Sequence, residues 1–206
     1  PLNLAGVSGE VHLSKTKLHI NGLKGRIWGG NFWAQLGINI AGIEGYNVSI
    51  QFNRCNLKQV GTTFNVKFDD AWTNARLDFE MPGGHIRQLN GSGRVELTDG
   101  NLMTIPFFGP LSTLLNEVFQ FIPGFSDLVR SQIRQASCDF EIRDGQLATN
   151  NFIAKGGNLN IRGSGTVNLE EAYLNMDVRV DWKSLIGILI NTLTLPTMPF
   201  VGLFSF

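Results

Sequence analysis

Residues 89–109, LNGSGRVELTDGNLMTIPFFG, together with the segment from Pro110 to Phe121, set the reading of the chain. Val95 and Leu97 alternate with Arg94, Glu96 and Thr98, the period-2 pattern of a strand with one apolar face. Asp99-Gly100 follows, a pair that accepts the positive φ of a two-residue hairpin turn, so a returning strand carrying Leu102, Met103 and Ile105 is expected. The period then changes. Leu111, Leu114, Leu115, Val118 and Ile122 fall at i, i+3, i+4, i+7 and i+11, which stacks them on one side of a helix.

Working outward, residues 1–65 read as a meander of short strands. Gly9–Leu13 and Lys17–Asn21 alternate, and Leu23–Trp28 runs into Gly29-Gly30, which suits a turn. Phe32–Ile40 alternates again, as do Tyr46, Val48, Ile50 and Phe52 against their polar neighbours. Residues 66–88 continue the sheet, first with Val66 and Phe68 and later with Leu77, Phe79 and Met81 in alternation, until Pro82-Gly83-Gly84. One apolar face per strand and a turn about every ten residues predict an antiparallel sheet.

The pattern repeats. Gly91-Ser92-Gly93-Arg94-Val95-Glu96-Leu97 recurs as Gly163-Ser164-Gly165-Thr166-Val167-Asn168-Leu169, with a weaker copy at Val7–Leu13. Val95–Leu102 recurs as Phe140–Leu147, including its Asp-Gly pair. The spacing between copies varies, which excludes a propeller of fixed blade length. Pro123-Gly124 ends the helical stretch. A second short helix is expected from Ser126, as N-cap, to Gln135, with strands resuming at Ser137. Ser184–Leu195 is apolar on nearly every side and too short before Pro196 to span a bilayer, which needs roughly twenty apolar residues. A helix docked on the sheet is expected there.

Composition narrows the function. In 206 residues, Lys+Arg and Asp+Glu are both 17, so no basic excess is available for phosphate backbones and nucleic acid is excluded as a partner. Charged residues are only 17%, with 24 Gly and 15 Phe, a strand-and-turn composition with more apolar surface than usual. Cys55 and Cys138 belong to no metal-ligand spacing; they are either two small buried hydrophobes or one disulfide. The chain opens at Pro1 in mid-pattern with no signal-like segment, and a fragment or processed product is expected.

Catalytic chemistry finds no residues to act through. His12, His19 and His85 are scattered, the first two at polar strand positions. Asp69-Asp70 and Glu170-Glu171 are adjacent in sequence, so in a strand they point to opposite faces. Gly91-Ser92-Gly93 and Gly163-Ser164-Gly165 lack nucleophile-elbow and phosphate-loop spacing, and turn chemistry accounts for them. What is left is the apolar surplus. Packed sheet on sheet, it makes a sandwich or barrel core. Curled into a trough, it lines a groove for acyl chains, since each buried methylene contributes about 0.8 kcal/mol.

The segments LNGSGRVELTDGNLMTIPFFGPLSTLLNEV and SCDFEIRDGQLATNNFIAKGGNLNIRGSGTVNLEEAYLNMDVRV resemble the C-terminal region of bacterial AsmA-like proteins, the group with TamB-like and YhdP-like members. Upstream, GEVHLSKTKLHINGLKGRIWGGNF is similar to the strand series that precedes it there. The order glycine-serine-glycine strand, Asp-Gly turn, Ile105-Pro106 and leucine-rich helix is its most specific part. The resemblance implies a long repetitive β-groove, anchored in the inner membrane by an N-terminal helix, that carries phospholipid across the periplasm to the outer membrane, a bridge-like lipid transfer protein of the cell envelope. It brings no catalytic residues.

The expectation is therefore a mainly β chain with a helical insertion: a curved antiparallel sheet forming an open groove, with short helices at about 110–122, 126–135 and 184–195. It divides into a strand meander (1–88), a hairpin-helix-hairpin unit (89–183) and an apolar C-terminal stretch (184–206) leading into a further strand. Lipid would lie against Val95, Leu97, Leu102, Ile105, Phe107, Phe108, Leu114, Leu115, Val118, Phe140, Ile142, Leu147, Ile161, Val167 and Leu169. No cofactor or metal is expected. The partners would be phospholipid acyl chains and envelope or outer-membrane proteins, with membrane contact through the C-terminal stretch or segments beyond this chain. The rival reading is a scaffold for outer-membrane protein assembly that works by strand addition to a sheet edge.

Overall fold

The computed structural model describes residues 3–41, 45–63, 65, 68, 70–100, 133–157, 159–171, 173–182 and 190–199. The strands are β1 Ala5–Leu13, β2 Lys17–Ile27, β3 Gly30–Asn39, β4 Gly45–Asn56, β5 Trp72–Pro82 and β6 Asn90–Thr98. They continue as β7 Ile133–Arg143, β8 Gln146–Gly156, β9 Leu159–Asn168, β10 Tyr173–Trp182 and β11 Ile190–Pro199. A helix, α1, spans Leu57–Thr63, and a single 3-10 turn spans Ile86–Gln88.

Alternation of apolar and polar residues makes each segment a strand, and short connections make each pair antiparallel. The result is one 11-stranded sheet whose spatial order follows the chain from β1 to β11. It is curved and does not close, so β1 and β11 are its edges. Neither a barrel nor a sheet-on-sheet sandwich is formed among the described residues. Bulges interrupt the register in β1–β2, β2–β3, β4–β5, β7–β8, β8–β9 and β10–β11. Each adds local twist and bend, the means by which a sheet this wide curls.

Several expectations are corrected. The segments Lys17–Asn21 and Leu23–Trp28 form one strand, β2, with Gly22 at φ +59 absorbing a bulge between Ile20 and Leu23. The meander breaks at α1, and β5 begins at Trp72, leaving Phe68 outside any strand. The returning strand expected after Asp99-Gly100, at 102–105, lies outside the described residues. Asp99 has φ +56, but β6 already has β5 on one edge and β7 on the other. Residues 101–132, which hold the expected helix at 110–122 and most of that at 126–135, lie outside the described residues. Within the second of these, Ile133–Gln135 belong to β7, paired to β8 and β6.

The expected C-terminal helix is replaced, from Ile190 onward, by β11. There Thr192 and Thr194 interleave with Leu193 and Leu195, and β-branched residues at period 2 favour the pleat. Residues 184–189 lie outside the described residues. The Gly-Ser-Gly segments are not turns either. They sit inside β6 and β9, where neighbouring side chains fill the space a side chain would need: a Cβ built on Gly93 would lie 2.5 Å from Phe140 Cζ. Bulky residues folded over a strand glycine restore its packing.

Candidate functional site

Cross-strand partners share a face, so the register can be followed from strand to strand. Val11, Ile20, Leu36, Val48, Phe79, Gly91, Ile142, Leu147 and Val167 are successive partners from β1 to β9. The register carries the row on to Leu174 in β10 and Met198 in β11. From β1 to β9, one residue of each strand thus forms a stripe with no polar side chain in it.

Parallel rows lie beside it on the same face. Ala34, Ile50, Leu77, Gly93 and Phe140 form the next, and Phe32, Phe52, Ala75, Val95 and Cys138 the one after. Cys55, Thr73, Leu97, Ala136, Ala154 and Ile161 form a fourth. At about 4.8 Å between strands and about 6.7 Å between alternate residues, the face measures roughly 48 Å across the strands and 20 Å along them. An acyl chain, half of a hydrocarbon core about 30 Å thick, fits within that width.

Burial is graded along the face. Ile142, Ile161, Met176 and Val178 are buried, whereas Val11 and Leu13 on β1 are 65% and 73% exposed. At one corner Ile27, Phe32, Ala34 and Cys55 form a packed cluster, with Trp28 and Phe52 against it at 5.3 Å between ring centroids. There α1 is held by Trp28 Nε1, which donates to Thr63 Oγ1 at 2.9 Å. Its start is capped by Asn56 Oδ1, which accepts from Gln59 N–H at 3.1 Å.

The sequence-derived residues divide accordingly. Val95, Leu97, Phe140, Ile142, Leu147, Ile161 and Val167 all occupy positions on this face. Leu169 sits in the turn after β9, its N–H donating to Gly145 O at 3.1 Å. Leu102, Ile105, Phe107, Phe108, Leu114, Leu115 and Val118 lie outside the described residues. Val11, Ile20, Leu36, Val48 and Phe79 share the row without being among the residues the sequence singles out; their strands alternate as clearly but carry no close copy of the glycine-serine-glycine repeat at 91 and 163.

The opposite face is charged. Arg76 pairs with Asp78 at 3.3 Å, and Arg94 with Glu96 at 2.8 Å and Asp139 at 3.3 Å. A depression of about 820 Å³ on this face is lined by Arg76, Asp78, Ser92, Arg94, Asp139 and Glu141, among others. Arg76 and Arg94 are each already held by carboxylates, and Glu141 pairs with Arg143 at 2.8 Å, so no cation here is left without a partner. His12 and His19 face each other on the outer strands and are exposed. Asp70 accepts from Asn56 Nδ2 and Lys58 Nζ, and these bonds hold its carboxyl below the ordinary range.

Both cysteines are free. Cys55 is fully buried and Cys138 half-buried, and desolvation pushes both thiols up. They stand on β4 and β7, three strand spacings and one row apart, so more than about 14 Å separates them, too far for a disulfide. Among the described residues no group of His, Cys, Asp or Glu could hold a metal ion, and no helix is long and apolar enough to cross a membrane.

No family model, curated protein or solved structure matches this chain.

Proposed function

We propose that this chain forms part of a hydrophobic β-groove that conducts phospholipid through the periplasm between the inner and outer membranes, with no catalytic step. The observation that carries this reading is the apolar stripe drawn from nine successive strands of an unclosed sheet. A core alone does not require such continuity, whereas a path does. An acyl chain moving by one strand exchanges one apolar neighbour for another at nearly constant free energy, with no polar side chain in the row to trap it. The resemblance to AsmA-like proteins supports the periplasmic setting.

The test is native mass spectrometry of the purified chain together with a variant carrying Val48→Asp, Phe79→Asp and Val167→Asp, all at half-buried stripe positions. Wild-type protein should carry phospholipid; the variant should lose it while keeping its β-sheet circular dichroism. Should the variant disturb the sheet, a spin-labelled fatty acid on wild-type protein supplies the second readout. A label immersed in water, or lipid retained by a folded triple variant, overturns the proposal.

A second reading has its own support. Every residue of β1 is exposed and among the described strands β1 pairs only with β2, so its outer edge offers backbone groups for strand addition by an envelope protein. Hydrogen-exchange protection of β1 by an added strand peptide, with no bound lipid, would favour it.

A further inference from the structure

The face opposite the apolar rows is largely polar, yet Trp33 of β3 stands on it 39% exposed. Its neighbours on that face are Lys24 and Gln51, its partners on β2 and β4, and Asn31 and Gln35 along its own strand. The indole therefore has no apolar side chain beside it. Among the described residues its ring meets no other aromatic and no cation. Trp28 is explained by its packing on Phe52 and its bond to Thr63; nothing within the fold explains Trp33 in that way.

Around it the side chains are uncharged. One row of this face runs Lys24, Trp33, Gln51 and Arg76, and the next runs Gln35, Ser49 and Asp78. On β3 and β4 both rows are free of charge. Among the described residues the side chains of Trp33, Gln35, Ser49 and Gln51 make no hydrogen bond, so their donors and acceptors are all available. These four line a depression of about 500 Å³ that Arg76 and Asp78 bound on β5. The same two residues line the 820 Å³ depression described above, so the two adjoin. Together they cross from β3 to β9, six strand spacings or about 29 Å.

This set of groups suits a neutral sugar. An indole is a flat, rigid apolar surface with a negative π face, and a pyranose ring presents a flat side of slightly positive C–H groups with a rim of hydroxyls. Stacked on Trp33, the C–H side leaves water while the hydroxyls meet the amides around it. A glutamine amide both accepts and donates, as a hydroxyl does, so either sense of hydrogen bond can be answered. In the larger depression the paired charges keep capacity to spare. Arg76 gives Nε to Asp78, and Arg94 gives Nε to Glu96 and Nη1 to Asp139, leaving further N–H groups and carboxylate lone pairs for hydroxyls. An anionic ligand would call for several unpaired cations, and beside Trp33 there is only Lys24, outside the depression.

We propose that the Trp33 depression is a binding site for a neutral glycan, seated with one sugar ring on the indole and extending across the strands toward β9. Tryptophan supplies a large contact area at little cost in side-chain freedom, and the glutamines fix the orientation of the ring stacked on it. The site lies on the polar face alone and is independent of the lipid reading, whose acyl path runs on the other side of the sheet.

The test is isothermal titration calorimetry of the purified chain with two neutral probes, N-acetylglucosamine oligomers and cello-oligosaccharides, and one anionic probe, oligogalacturonate. Wild type is compared with Trp33→Ala, with Gln35→Ala/Gln51→Ala and with the control Lys155→Ala, on the same face but outside both depressions. Wild type should bind at least one neutral series. Trp33→Ala should weaken that binding about tenfold or more and the glutamine pair several-fold, at unchanged Tm, while Lys155→Ala binds as wild type does. If Trp33→Ala fails to fold, the glutamine pair, whose side chains bond to nothing described in the fold, carries the comparison. Wild type that binds neither neutral series at millimolar concentration, or that prefers oligogalacturonate, overturns the proposal. So does a folded Trp33→Ala or glutamine variant that binds as well as wild type, or an equal loss in Lys155→Ala.

Discussion

At the scale of single residues, strand glycines set how closely neighbouring side chains can lie on the apolar face. A Cβ on Gly163 would lie 2.2 Å from Met176 Cε, the free end of a flexible chain, whereas one on Gly91 would lie 2.2 Å from the backbone oxygen of Asp78. Met176 can swing aside and the backbone cannot, so Gly91→Ala should cost about 2 kcal/mol and Gly163→Ala less than half of that, measured by urea unfolding. The repeat itself was plain in the sequence, but the role of its glycines was not, because the residues that fill them, Phe140 and Met176, come from other strands. Cys55 offers a pH test. Burial raises its thiol above the unfolded value of about 8.5, so the stability due to the protonated thiol is complete below that pH and declines as pH rises toward the folded value. The stability gap between wild type and Cys55→Ala should therefore narrow between pH 7 and pH 10.

At the scale of elements, the same dipeptide has two outcomes. Asp144-Gly145 closes the two-residue hairpin between Arg143 and Gln146, with φ +50 and +73. Asn90 Oδ1 accepts from Asp144 N–H and Leu89 O from Gly145 N–H, both at 3.0 Å, locking the turn to the β5–β6 connection. Asp99-Gly100 instead follows a strand whose two edges are already taken by β5 and β7. Local sequence encodes a capacity to turn; which strand lies alongside is decided by the whole register, which no local window contains. Gly145→Ala should destabilise by about 1–3 kcal/mol, since a left-handed residue would gain a Cβ 2.6 Å from Ile86 O. The start of α1 was legible in Asn56 followed by Gln59, a cap and its third helical position, but the strand pattern around it hid the signal. Trp28→Phe should lower the thermal midpoint by removing the bond to Thr63, a loss of about 1 kcal/mol.

For the whole molecule, amphipathic alternation made the antiparallel, one-faced sheet readable, and the apolar surplus pointed to a face left for something else. The eleven-strand order and its bulges were not readable, since each depends on pairings between distant segments. Among the described residues every strand bonds only to its sequence neighbours, so the sheet's stability is a chain of nearest-neighbour terms with two open edges. Val11→Lys on β1 should reduce self-association in analytical ultracentrifugation, because a charge on an edge strand discourages docking of another sheet. The antiparallel order also restricts how such a conduit can be resized. Removing one strand would send each later connection to the other rim and reverse every later strand; removing two leaves both rims as they were. A duct of this kind therefore grows or shrinks in hairpin increments of about 9.6 Å, and its bore is indifferent to the number of increments.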